Sequence, residues 1–180
     1  MKARIQIFDT KKATTFLFMI LIALFAFSCG GKKNQDEMVV PEGMHALDLS
    51  RFGKPFAIFV PDTLKQRLSV IEQTSGALDV KVGNNFAISI FEQAADIELK
   101  KTDIKGDEIN KWKNFLTEEP NAIIWESEIT QPEYHFLINQ KIGTADYSFE
   151  DVKDPDTNPF GREAIQKMYT SCKDIKEIKK

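Results

Sequence analysis

The chain has 180 residues, 24 Lys+Arg against 27 Asp+Glu, and a formal charge of −3. That length suits a single domain with a short appendage. The acidic balance argues against a nucleic-acid backbone as the main partner, because neutralising phosphates requires a basic face.

The amino-terminal segment is patterned. Lys2, Arg4, Lys11 and Lys12 precede an apolar run from Phe16 to Phe27, with Asp9 the only acid before it. A positive region followed by a short apolar core is the layout of a secretory signal peptide. The run is short for a membrane span, which needs about 20 apolar residues. Ala26-Phe27-Ser28-Cys29-Gly30 then resembles the lipobox of bacterial lipoproteins, with Leu24 or Phe25 in the apolar position. The resemblance implies acylation of the Cys29 thiol, removal of residues 1–28, and a mature chain that begins at Cys29. The alternative is an uncleaved signal anchor with an incidental cysteine. Gly30 stands where an aspartate typically retains lipoproteins in the inner membrane, so the resemblance implies the outer membrane. Lys32 to Glu37 is loosely similar to the export signals of surface lipoproteins of the Bacteroidota.

Beyond residue 28 the chain keeps 20 bases and 26 acids, a formal charge of −6. No polybasic patch is left for anionic lipid heads. The expected anchor is palmitate or a similar acyl chain, each buried CH₂ adding about 0.8 kcal/mol of membrane affinity. With Cys29 lipidated, only Cys172 remains and no intramolecular disulfide is available.

Residues 29–51 read as the lipidated cysteine and a polar tether, with a short ordered end around Met44 to Leu49. The folded domain is expected over 52–180. Phe56 to Val60 predicts a strand stopped by Pro61, and Leu68 to Gln73 a second. Ala77 to Val82 and Phe86 to Phe91 alternate around Gly83-Asn84-Asn85, which predicts a hairpin with one buried and one wetter side. Ile109, Trp112 and Leu116 fall at helical spacing, so a helix is expected from Ala94 to Leu116, bent or broken at Gly106 and ended by Pro120. Asn121 to Ile129, Glu133 to Asn139 and Thr144 to Glu150 return to strand, with Pro132 in the turn before the second of these. Asn158-Pro159 reads as the cap and first residue of a last helix. Ile165, Met168, Tyr169, Cys172 and Ile175 form its apolar face, and lysines gather toward its end. The fold class is α+β, a curved antiparallel β-sheet with two amphipathic helices packed on it.

The stretches Phe56 to Pro61, Asn110 to Phe115 and Glu119 to Glu126, the aromatic strands Tyr134 to Phe149 and the Ala164 to Ile175 helix resemble uncharacterised lipoproteins of the Bacteroidota. Their element order is similar to the PsbP-like fold over roughly residues 52–178. The resemblance implies a non-enzymatic assembly or binding module, and it carries no catalytic residues.

The residues themselves offer few chemical constellations. Cys172 on an apolar helix face predicts a buried, inert thiol. Asp154-Pro155-Asp156-Thr157-Asn158 opens like a calcium loop, but Pro159 and Ile165 stand where an EF-hand needs Gly and Glu. Glu133 and His135 point the same way from one strand, yet the other histidine, His45, lies in the tether and a catalytic zinc needs three protein ligands. No Ser or Cys sits in a nucleophile motif, and no glycine loop cradles phosphate. Tyr134, Phe136, Tyr147 and Phe149 are expected as core or cross-strand pairs. The expectation is a non-catalytic, lipid-anchored binding or assembly-accessory lipoprotein of the bacterial outer membrane. Its partner would be a protein of the envelope, and no cofactor is expected. The alternatives are a hydrolase or metal-assisted enzyme near Glu133, His135 and the Asp154–Asn158 loop, or a carrier of a small apolar ligand between sheet and helices.

Overall fold

The computed structural model describes residues 40–64, 66–153, 158–173 and 175–178. The expected signal peptide, Cys29 and Asp154 to Thr157 of the calcium-like loop lie outside them.

Apolar alternation builds most of a seven-stranded sheet. Its strands are β3 (Leu68–Glu72), β4 (Leu78–Val82), β5 (Phe86–Phe91), β6 (Lys111–Glu119), β7 (Ala122–Glu128), β8 (Pro132–Ile142) and β9 (Ala145–Asp151). The spatial order is β3-β4-β5-β9-β8-β7-β6, and every neighbouring pair is antiparallel. Two meanders therefore lie side by side, joined where Ile90 pairs with Phe149. β5 and the far edge strand β6 consequently run parallel, a relation that needs a crossover. Helix α1 (Ile97–Gly106) is that crossover.

A smaller sheet pairs β1 (Met44–Asp48) and the two-residue β10 (Lys176–Glu177) on either side of β2 (Phe56–Pro61). The ordered end expected at Met44 to Leu49 is thus a strand, and Leu49 is fully buried. The compact unit extends upstream of Phe52.

The strand alternation divides the apolar residues between two faces. On one face Ala122, Ile124, Phe136, Ile138, Tyr147 and Phe149 join Phe56, Ile58 and Val60 of β2 in the main core. Helix α2 (Arg162–Lys173) inserts Ile165, Met168, Tyr169 and Cys172 into that same core. On the other face Ile123, Trp125 and Leu137 meet Ile97 and Ile104 of α1 in a much smaller cluster. The two helices cover opposite faces of an antiparallel sheet. Phe136, Tyr147 and Phe149 are core residues as expected, with Tyr147 set edge-on to Phe56 at 5.0 Å.

Four expectations are corrected. The Ala94 to Leu116 helix stops at Gly106, and Lys111–Glu119 is a strand. Register shifts between Trp112 and Asn114 and between Phe115 and Thr117 insert extra residues into β6. Such bulges stretch the strand's period of two, so Trp112 and Leu116 mimic a helical repeat. The last helix begins at Arg162 rather than Pro159, because Phe160 is buried in the main core and the first intrahelical bond runs from Ile165 N–H to Gly161. The wetter side of the β4–β5 hairpin is largely covered: Asp79 and Ser89 are buried, and Asp79 accepts from Ser89 Oγ at 2.8 Å and Gln73 Nε2 at 2.7 Å. Pro132 also opens β8 instead of sitting in the preceding turn.

Candidate functional site

Helix α1 is anchored at both ends, and along its length Lys101 bridges to Glu118 of β6 at 2.9 Å. Asp96 caps its start by accepting the Leu99 N–H at 2.9 Å. Just before it, Ala95 N–H and C=O are both bonded to the Asn139 side-chain amide, at 3.0 and 2.8 Å. After it, Asp107 accepts the N–H groups of Ile109 and Asn110 and the Asn110 amide, which hold its carboxyl below the usual range. Between these ties only Ile97 and Ile104 are buried. Beside that apolar contact the sheet face turns polar.

That polar surface is assembled by strand register. Trp125 pairs with His135 and Ser127 with Glu133 across β7 and β8, so all four share the α1 side. The His135 ring stacks on Trp125 at 5.1 Å between centroids, 28° apart. Its Nδ1 lies 2.9 Å from Asp151 Oδ2. The other Asp151 oxygen accepts the Phe136 N–H at 2.8 Å, so this carboxylate replaces a sheet carbonyl where the β8–β9 ladder ends. His135 Nε2 is directed toward Glu133, 3.9 Å away, and Lys153 Nζ is 3.7 Å from the other Glu133 oxygen. Lys100 sits over the Trp125 ring at 5.8 Å and 4.0 Å from Glu150. Burial, only partly offset by Lys100, pushes the Glu150 carboxyl above its ordinary range.

These groups wall a cleft of about 280 Å³ between α1 and the sheet. It is lined by Lys100, Asp103, Asp107, Asn110, Trp125, Ser127 and His135, with Ile104 behind them. Ser127 Oγ is buried and has no hydrogen-bond partner, unlike other buried side-chain polar atoms among the described residues. A buried hydroxyl left unpaired costs about 1–3 kcal/mol.

The structure brings Glu133 and His135 together but leaves His45 on β1, in the other sheet. Asn158, the one described residue of the calcium-like loop, is exposed and outside any helix. No three His, Cys, Asp or Glu among the described residues are placed to hold a metal. Cys172 is fully buried, and burial raises its thiol well above the ordinary value. Between the sheet and α2 the space is filled by core side chains.

Sequence reasoning missed Ser127, although its odd-numbered place after Ile123 and Trp125 puts a hydroxyl on an apolar strand face. Asp151 carried no such signal, because it reaches His135 only by leaving the β8–β9 ladder. Lys100 and Asp103 gave no signal either, since charges three apart on a helix are ordinary for a solvated face. No helix among the described residues is long and apolar enough to cross a membrane. Protein-family models, curated proteins and solved structures were compared with this chain, and none matches it.

Proposed function

We propose that this chain is a lipid-anchored, non-catalytic binding lipoprotein of the bacterial outer membrane, with a PsbP-like body tethered through acylated Cys29. The element order, an antiparallel sheet with two helices, supports the PsbP-like reading. The observation that carries the binding role is the cleft under α1, which groups charged and hydrogen-bonding side chains around an unpaired buried hydroxyl. Its histidine is fixed by Asp151 and Trp125, and its serine makes no hydrogen bond to a base. Such a wall can hold a ligand without activating a nucleophile. Labelled palmitate should enter the wild-type protein and fail to enter Cys29→Ala. Equal labelling of the two removes the anchor.

A hydrolytic reading has one observation in its favour, the Asp151–His135 pair beside Glu133. Turnover of an ester or phosphoester substrate that disappears in His135→Ala would establish it in place of the binding role.

A further inference from the structure

The cleft's walls narrow the chemistry of what it accepts. Lys100 and Asp103 stand three residues apart on α1, the spacing at which opposite charges pair on a helix. Lys101 and Glu98 do pair in this way on the same helix, at 2.8 Å. Lys100 and Asp103 form no ion pair with each other, and both line the cleft. Lys100 is only loosely engaged, 4.0 Å from Glu150, and Asp103 makes no hydrogen bond or ion pair among the described residues. Asp107 is occupied by its three donors but adds negative charge to the same rim.

Several ligand classes fit poorly. A sugar ring would need an open aromatic face, but His135 and Lys100 already cover Trp125. A simple anion would meet Asp103 and Asp107, and a simple cation would meet Lys100. An apolar molecule would leave the buried Ser127 hydroxyl unpaired. The volume, about 280 Å³, lies at the small end for ligand pockets.

We propose that the cleft binds a small zwitterion of the α-amino-acid class. The ligand's carboxylate takes Ser127 Oγ–H and Lys100 Nζ, and its ammonium group takes Asp103. Charge-assisted hydrogen bonds of this kind are about twice as strong as neutral ones. This site rests on the binding reading above and gives that reading a ligand class.

The test is calorimetric titration of the full-length, detergent-solubilised chain with L-alanine. Ethylamine and propionate, which each keep one of its charges, serve as the comparison arms. Saturable binding of L-alanine is expected, at least about tenfold tighter than of either half-molecule, the equivalent of one charged hydrogen bond. Lys100→Gln, Asp103→Asn and Ser127→Ala should each weaken it by a similar factor while circular dichroism stays that of the wild type. Absence of saturable heat overturns the proposal. So does equal binding of the half-molecules, or wild-type affinity in all three variants. Recovered L-alanine should be chemically unchanged. Its consumption would leave the site standing and overturn the non-catalytic role, and neither result bears on Cys29.

Discussion

Asp151 spends one oxygen on the Phe136 N–H and the other on His135, from a side chain that is almost fully buried. Removing it strands a buried backbone donor as well as the ring. Asp151→Ala should therefore lose about 1–3 kcal/mol of stability in urea unfolding, and Asp151→Asn, which keeps an acceptor for Phe136, should lose less. Glu150 acts in the opposite sense. Its carboxyl titrates above the ordinary value of 4.5 because burial disfavours the charge, so the folded state holds its proton more tightly than the unfolded chain. Stability from this group consequently falls as pH rises from the unfolded value through the raised folded one. Glu150→Gln should melt higher than the wild type at neutral pH, with the gap closing as pH drops below the ordinary carboxylate range. A gap independent of pH would contradict this. Cys172 was legible from its helix position alone, and its buried thiol should resist a thiol reagent in folded Cys29→Ala until denaturant is added. Asp151 and Glu150 were not legible, because their environments depend on where strands end and on what α1 covers.

Elements were readable wherever one periodicity ran without interruption. β4, β5, β7 and β9 alternate cleanly, and α2 repeats Ile165, Met168, Tyr169 and Cys172 on one face. β6 was unreadable because its two bulges shift the pattern, so Trp112 and Phe115 end up as neighbours with rings 5.5 Å apart. The turns give a direct contrast between two glycines. Gly143 joins β8 to β9 at φ 61°, where a side chain is strained. Gly106 ends α1 without positive φ and with open space where a Cβ would stand. Gly143→Ala should cost about 1–2 kcal/mol, whereas Gly106→Ala should stabilise by about 0.4–1 kcal/mol by restricting the unfolded chain. Thermal melts of both variants check the pair, and a matching loss in each would refute the assignment of α1's end.

At the scale of the molecule, helices on opposite faces give the sheet two unequal cores. α2 and β2 share the large one, and α1 closes the small one while leaving a polar cleft beside it. The α+β class and the antiparallel sheet were legible because alternation dictates them. The division of the helices between faces was not, since it depends on the crossover from β5 to β6. The cleft was half legible: Glu133 and His135 were visible as a pair, but the α1 residues facing them belonged to a helix read as continuing to Leu116. The proposed placement at a membrane depends on chemistry at one sulfur. Intact-mass spectrometry of the protein purified from membranes tests this most directly. The account predicts a chain starting at Cys29 and heavier than its amino-acid sequence by a diacylglyceryl group. A chain that retains residues 1–28, or begins elsewhere without added lipid mass, would contradict it.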